Sequence, residues 1–153
     1  MRLLAATLAC LLALAAGAIA VAAAPHPRHL PPPEAFLLVF ERSGGLAPSY
    51  RALVVEPGQH AIAVSARSGE PKHRTEFRIG KRRIRALESS LRRARFHSLE
   101  QPGPSGCADC FKYDFLYLQH EIELDESQVP PLLGDAIAEI EAVISARTKT
   151  TDG

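Results

Sequence analysis

Three groups of residues in this 153-residue chain have types and spacings that could carry chemistry. Cys107 and Cys110 bracket Ala108 and Asp109 in a C-x-x-C. Such a pair can close a disulfide that staples a loop, supply half of a zinc site, or shuttle electrons as a dithiol. Redox catalysis calls for a thiolate at the start of a helix, where the dipole lowers its pKa. Here the pair runs instead into Phe111–Leu118 (FKYDFLYL), whose composition is that of a strand. Zinc needs two further ligands, and His97 and His120 could supply them only if the cysteine loop and a hairpin tip converge. A structural staple asks least of the rest of the chain.

The second group is Ser43, Gly44, Gly45 and Leu46. A serine nucleophile of the hydrolase kind sits in G-x-S-x-G between a strand and a helix. Ser43 lies between two strand-like runs, so a turn is the expected role. The third group is cationic: between Lys81 and Arg95 seven basic residues stand against one acid, Glu88. Arg82, Arg85, Arg92 and Arg93 could form a basic surface for an anionic polymer, or simply a solvated face. No aromatic residues interleave with these arginines, so nucleic acid is not an expected partner. The six histidines are scattered and form no H-E-x-x-H. Carboxylate pairs such as Asp125 with Glu126, or Glu139 with Glu141, fall where caps and solvated helix faces belong. No catalytic residue, metal ligand or cofactor-binding residue is therefore expected.

These groups must be positioned by a small set of elements. Ala35–Arg42 and Ser49–Glu56 are rich in strand formers and flank the glycines, which predicts a β-hairpin. A further strand is predicted at Ala61–Ala66 or at Thr75–Ile79. Over Lys81–Phe96, the residues Ile84, Leu87, Leu91 and Ala94 recur at helical spacing and define one apolar face. A Pro/Gly loop at 102–106 leads to Phe111–Leu118, and Ile122 with Leu124 continues the alternation past Gln119 and His120, predicting a second hairpin. Pro130 and Pro131 open a last helix with Leu133, Ile137, Ile140 and Ile144 on one side. The expected fold is α+β: about four to five antiparallel strands packed with two helices, in the order β-β-(β)-α-β-β-α. It occupies one domain over 35–146, with a disordered tail at 147–153. Asp135, Glu139 and Glu141 of the last helix could lie against the basic helix and neutralise it.

The chain starts with the charge of Arg2 and then runs without a charge from Leu3 to Ala24, almost wholly Leu, Ala, Val and Ile. That is the pattern of a secretory signal peptide, expected over 1–22 with cleavage after Ala22 and Ala20 at the −3 position. Cys10 lies inside the apolar run with Thr7 three residues before it, which argues against a lipoprotein anchor. Residues 23–34, including PHPRHLPPP, read as a Pro-rich flexible arm. The 18 Lys and Arg lose Arg2 with the leader and then match the 17 Asp and Glu, so net charge points to no polyanionic partner. The expected product is a secreted or periplasmic monomer that does not stay inserted in the membrane.

The domain also resembles the emfourin-like family, small protein inhibitors of thermolysin-like zinc metallopeptidases. The resemblance rests on a strand entering R-S-G-G at Arg42–Gly45, and a helix closing in L-x-x-A-x-F at Leu91, Ala94 and Phe96. It continues in A-D-x-F-x-Y at Ala108, Asp109, Phe111 and Tyr113, and in Val129-Pro130 before an amphipathic helix. The cysteine pair and the Leu46-Ala47-Pro48 connection depart from the family pattern. The resemblance implies a non-enzymatic inhibitor whose partner is a secreted metallopeptidase. Ser43, Gly44, Gly45 and Leu46 would be its contact loop, with 106–110 as a second. An envelope-associated module that holds an anionic polymer or a partner protein through the basic helix is the alternative.

Overall fold

A computed structural model describes residues 37–148; the expected signal peptide, the Pro-rich arm and the end of the tail lie outside the described residues. The elements run β1 (Leu38–Gly44), β2 (Ser49–Val55), β3 (His60–Arg67), β4 (His73–Arg78), α1 (Lys81–Arg93), β5 (Phe111–Tyr117), β6 (His120–Asp125) and α2 (Pro131–Thr148). The α+β architecture is as expected, with six strands rather than four to five. The two stretches read as alternatives are both strands. Ala61–Ala66 becomes β3, and β4 turns back against it with His60 opposite Arg78 and Ser65 opposite His73. The polar segment between them is a tight reversal, so neither strand excludes the other.

All pairings are antiparallel, in the order β4-β3-β2-β1-β5-β6. The central partner of β1 on one side is therefore β5, over sixty residues away along the chain. Leu38 faces Tyr117, Phe40 faces Phe115, and Gly44 faces Phe111. Both helices lie on one face of the sheet. Leu38, Phe40, Leu53, Val55, Phe115 and Ile122 from that face meet Leu87, Leu91 and Phe96 from α1 and the turn after it, and Leu133, Ile140 and Ile144 from α2. Three phenylalanines centre the core, Phe115 lying 5.0 Å from Phe40 and 5.5 Å from Phe96 between ring centroids. Such tilted pairs add to the burial each ring already contributes.

Helix α1 begins at Gly80, which gives no side-chain cap, and ends where Arg95 takes a left-handed conformation (φ 52°). The expected helix to Phe96 therefore stops three residues early, and Phe96 enters the core from a short 3-10 turn. Helix α2 starts at Pro131, whose missing N–H is no loss in the first turn. It runs to Thr148, so residues 147 and 148 belong to the domain rather than to a tail: Arg147 stacks over the Phe77 ring at 4.7 Å and its carbonyl accepts from Thr75 Oγ1 at 3.0 Å.

Candidate functional site

The β1–β2 turn owes its shape to two adjacent glycines at φ 98° (Gly44) and 84° (Gly45). Sterics make such values costly for any residue with a Cβ. Space imposes the same choice. A Cβ on Gly44 would sit 2.8 Å from the Cys110 carbonyl oxygen, and one on Gly45 would sit 2.6 Å from the Phe111 ring. The β1–β5 pairing thus lays the glycine turn directly against the end of the cysteine loop. Beyond the glycines, Leu46, Ala47 and Pro48 project into solvent, with Leu46 87% exposed. Ser43 is half-buried, with Tyr50 and Lys112 as its cross-strand neighbours.

The loop from 99 to 110 is held along its length. The Gln101 side chain donates to the Glu123 carbonyl at 2.6 Å and accepts from the Glu123 N–H at 2.8 Å, so one amide imitates a strand partner along the outer edge of β6. Gln128 Nε2 donates to the Gly103 carbonyl at 2.6 Å, and Gln128 Oε1 accepts from the Asp125 N–H. Ser105 Oγ donates to Asp125 and accepts from the Cys107 N–H at 3.2 Å. The Cys107 and Cys110 sulfurs meet at bonding distance across Cα atoms 5.7 Å apart, a span that suits a disulfide.

Under the turn lies a charged cluster. Arg42 and Arg51 are opposite one another on β1 and β2 and in phase with the core-facing residues of their strands. They converge on Glu141 of α2, Arg42 Nη1 lying 2.9 Å from Oε1 and Arg51 Nη1 donating to Oε2. Arg51 also donates to Ser145 Oγ at 2.8 Å. The Arg42 contact is a charge contact without hydrogen-bond alignment. The guanidinium of Arg42 also stacks 4.3 Å above the Phe111 ring, the same ring that underlies Gly45. Side-chain exposures of 18%, 25% and 15% for Arg42, Arg51 and Glu141 make the cluster largely desolvated. Burial raises the pKa of nearby Tyr113, with the Glu126 charge adding to the rise, Arg42 opposing it and Glu141 adding a little.

The remaining expected groups fall elsewhere. Arg82, Arg85 and Arg92 are exposed on α1, while Arg93 is tied back to its own helix through Ser89 at 3.0 Å and Ser90 at 2.8 Å. Glu141 does not neutralise α1 as expected, because α2 turns it toward the sheet. His97 and His120 do approach one another, at 5.9 Å between ring centroids. They sit at the β5–β6 tip, with His97 stacked on Tyr117. Strand β5 separates them from Cys110 by about 20 Å at 3.4 Å per residue. Among the described residues, no three His, Cys, Asp or Glu side chains are grouped to hold a metal ion, and no helix is long and apolar enough to cross a membrane.

Arg42, Arg51, Phe111 and Glu141 were not singled out as a unit by sequence reasoning. A signal was there: in β1 the core-facing phase Leu38, Phe40 continues into Arg42, and in β2 Arg51 precedes Leu53 and Val55. A charge in the buried phase of a strand requires a partner. No protein-family model matches the chain, and no curated protein matches its sequence.

Proposed function

We propose that this is an exported, non-enzymatic binding protein that inhibits a secreted thermolysin-like zinc metallopeptidase by filling its cleft with the β1–β2 turn. The observation that carries this reading is Leu46: an apolar side chain 87% exposed at the tip of a turn whose base is held by Phe111, Arg42 and the cysteine loop. A protease cleft takes up extended backbone and one or two side chains. A turn held in one shape loses little entropy on entering it. The resemblance of 36–144 to emfourin-like inhibitors supplies the protease class.

Leu46 is the right probe, since a side chain on Gly45 would strike Phe111 and disturb the fold itself. Titration of the chain against a thermolysin-like peptidase should give stoichiometric loss of activity. Leu46→Asp, which alters only an exposed position, should weaken that inhibition at least tenfold and leave the melting temperature unchanged. Equal inhibition by both chains moves the contact away from this turn. No inhibition of several such peptidases by the unaltered chain overturns the reading.

One feature favours a second reading, an envelope-associated module that holds anionic polymer through α1. Lys81, Arg82 and Arg83 are all exposed in the first helical turn, which has no acid. Cations there oppose the helix dipole by about 0.3–1 kcal/mol each, and a bound polyanion would relieve that. Such binding should collapse as salt rises, whereas inhibition through Leu46 should persist.

A further inference from the structure

Beside the last turns of α2, the layer between helix and sheet opens into a groove of about 1050 Å³, which is at the upper end of the size of small-molecule sites. The strand register explains its lining. On the helix-facing side, Phe40, Leu53 and Ala63 stand in one row across β1, β2 and β3. One pleat further along, the row reads Arg42, Arg51, Ser65 and His73, and the next sets Ser49 opposite Arg67. The apolar core thus gives way to cations and hydroxyls at the same level on neighbouring strands. Helix α2 changes in step, because Glu141, Ser145 and Thr148 recur at i, i+4 and i+7 and share one face.

Charge in the groove is unbalanced. Three guanidiniums, those of Arg42, Arg51 and Arg67, stand against two carboxylates, Glu70 and Glu141. Glu141 alone serves both Arg42 and Arg51, and it does not satisfy them: Arg42 Nε and Glu141 Oε1 are each buried with no hydrogen-bond partner among the described residues. A desolvated charge left short of partners is unfavourable. Arg67 is held loosely, its side chain 71% exposed and 4.0 Å from Glu70 Oε1. Such a surface contact contributes little, so Arg67 can turn into the groove at small cost. Ser49, Ser65 and Ser145 add hydroxyls along the same lining, each able to donate to an oxygen. Arginine forks beside hydroxyl donors match the oxygens of carboxylates and phosphates.

We infer that this groove binds a small organic anion carrying at least two oxyanion groups, carboxylate or phosphate, one held at Arg51 and the serine hydroxyls and the other at Arg67. Arg51 lies opposite Ser65, two residues before Arg67 on β3. The two arginines are therefore diagonal neighbours about 7–8 Å apart, a separation that two linked oxyanions span. The site does not depend on Leu46 entering a protease cleft.

Calorimetric titration of citrate and of pyrophosphate into the chain tests this at about 50 mM salt, where charges are weakly screened. At least one of the two should bind with a dissociation constant below about 1 mM, and the tighter one assigns carboxylate or phosphate as the group recognised. Arg67→Ala should weaken that binding at least about tenfold through loss of a charge-assisted contact. It should leave the melting temperature unchanged, because the side chain is exposed. Arg82→Ala, at an exposed position on α1 outside the groove, should bind as the unaltered chain does. Absence of binding by both anions overturns the proposal. So does equal binding by the unaltered chain and Arg67→Ala, or an equal loss in Arg67→Ala and Arg82→Ala, which would mark a diffuse response to surface charge.

Discussion

Gly44→Ala probes the contact on which the candidate site depends, and its cost can be worked out in two parts. The first is conformational: at φ 98° a Cβ meets its own backbone, at about 1–2 kcal/mol. The second is the approach of that Cβ to the Cys110 carbonyl oxygen at 2.8 Å. That atom is backbone beside the β1–β5 ladder and cannot swing aside, so strand and loop must shift, at about 1–3 kcal/mol more. Gly58→Ala in the β2–β3 turn is the matched control. Its φ is 89° with nothing within 4 Å of the added Cβ, so it carries only the first part. Urea unfolding should therefore show Gly44→Ala losing about 2–5 kcal/mol and Gly58→Ala about 1–2, with unchanged m-values. Against a total stability of about 5–15 kcal/mol for a small domain, the chain should still fold. In a Cys107→Ser, Cys110→Ser background the loop can yield, and the excess of Gly44→Ala over Gly58→Ala should shrink; such non-additivity is the mark of a shared contact. Equal losses at the two glycines would refute the close packing of turn and cysteine loop, and with it the idea that the loop stiffens the turn.

Two further outcomes follow from the charges beneath the turn. Glu141→Gln leaves Arg42 and Arg51 facing each other without a countercharge; allowing for their partial exposure, the loss should be about 1–3 kcal/mol, read by denaturant unfolding. The raised pKa of Tyr113 makes the unfolded chain release its proton first as pH climbs past 10. The unfolded state then binds fewer protons than the folded state, so stability falls with rising pH from about 10 upward. Tyr113→Phe should lessen that alkaline decline in melting temperature without abolishing it, since burial raises the pKa of Tyr117 as well; an identical decline in both chains would place the titration elsewhere.

Much of this domain was readable along the chain because it is encoded by local periodicity. The alternation of Tyr113, Phe115 and Tyr117 and the helical spacing of Leu133, Ile137, Ile140 and Ile144 reflect backbone geometry that repeats every two or 3.6 residues, and all of these residues are buried. The glycines of the β1–β2 turn were legible for the same reason, since only a few residue types accept positive φ. Strand count was harder, because β4 reads HRTEFR and owes its place to pairing with β3 rather than to its own composition.

Only the tertiary structure decided what those elements stand beside. Pairing of β1 with β5 brings Gly44 and Gly45 against Cys110 and Phe111, and no local pattern distinguishes that partner from β6 or β3. The same holds for Glu141, whose helix could have turned it toward the arginines of α1 and instead turns it toward Arg42 and Arg51. Local propensity, about a few tenths of a kcal/mol per residue, favours one kind of element over another, and the period of that element sets which residues share a face. Which inward faces meet is set by burial and charge pairing summed over the whole sheet, a quantity that exists only once the chain has closed on itself.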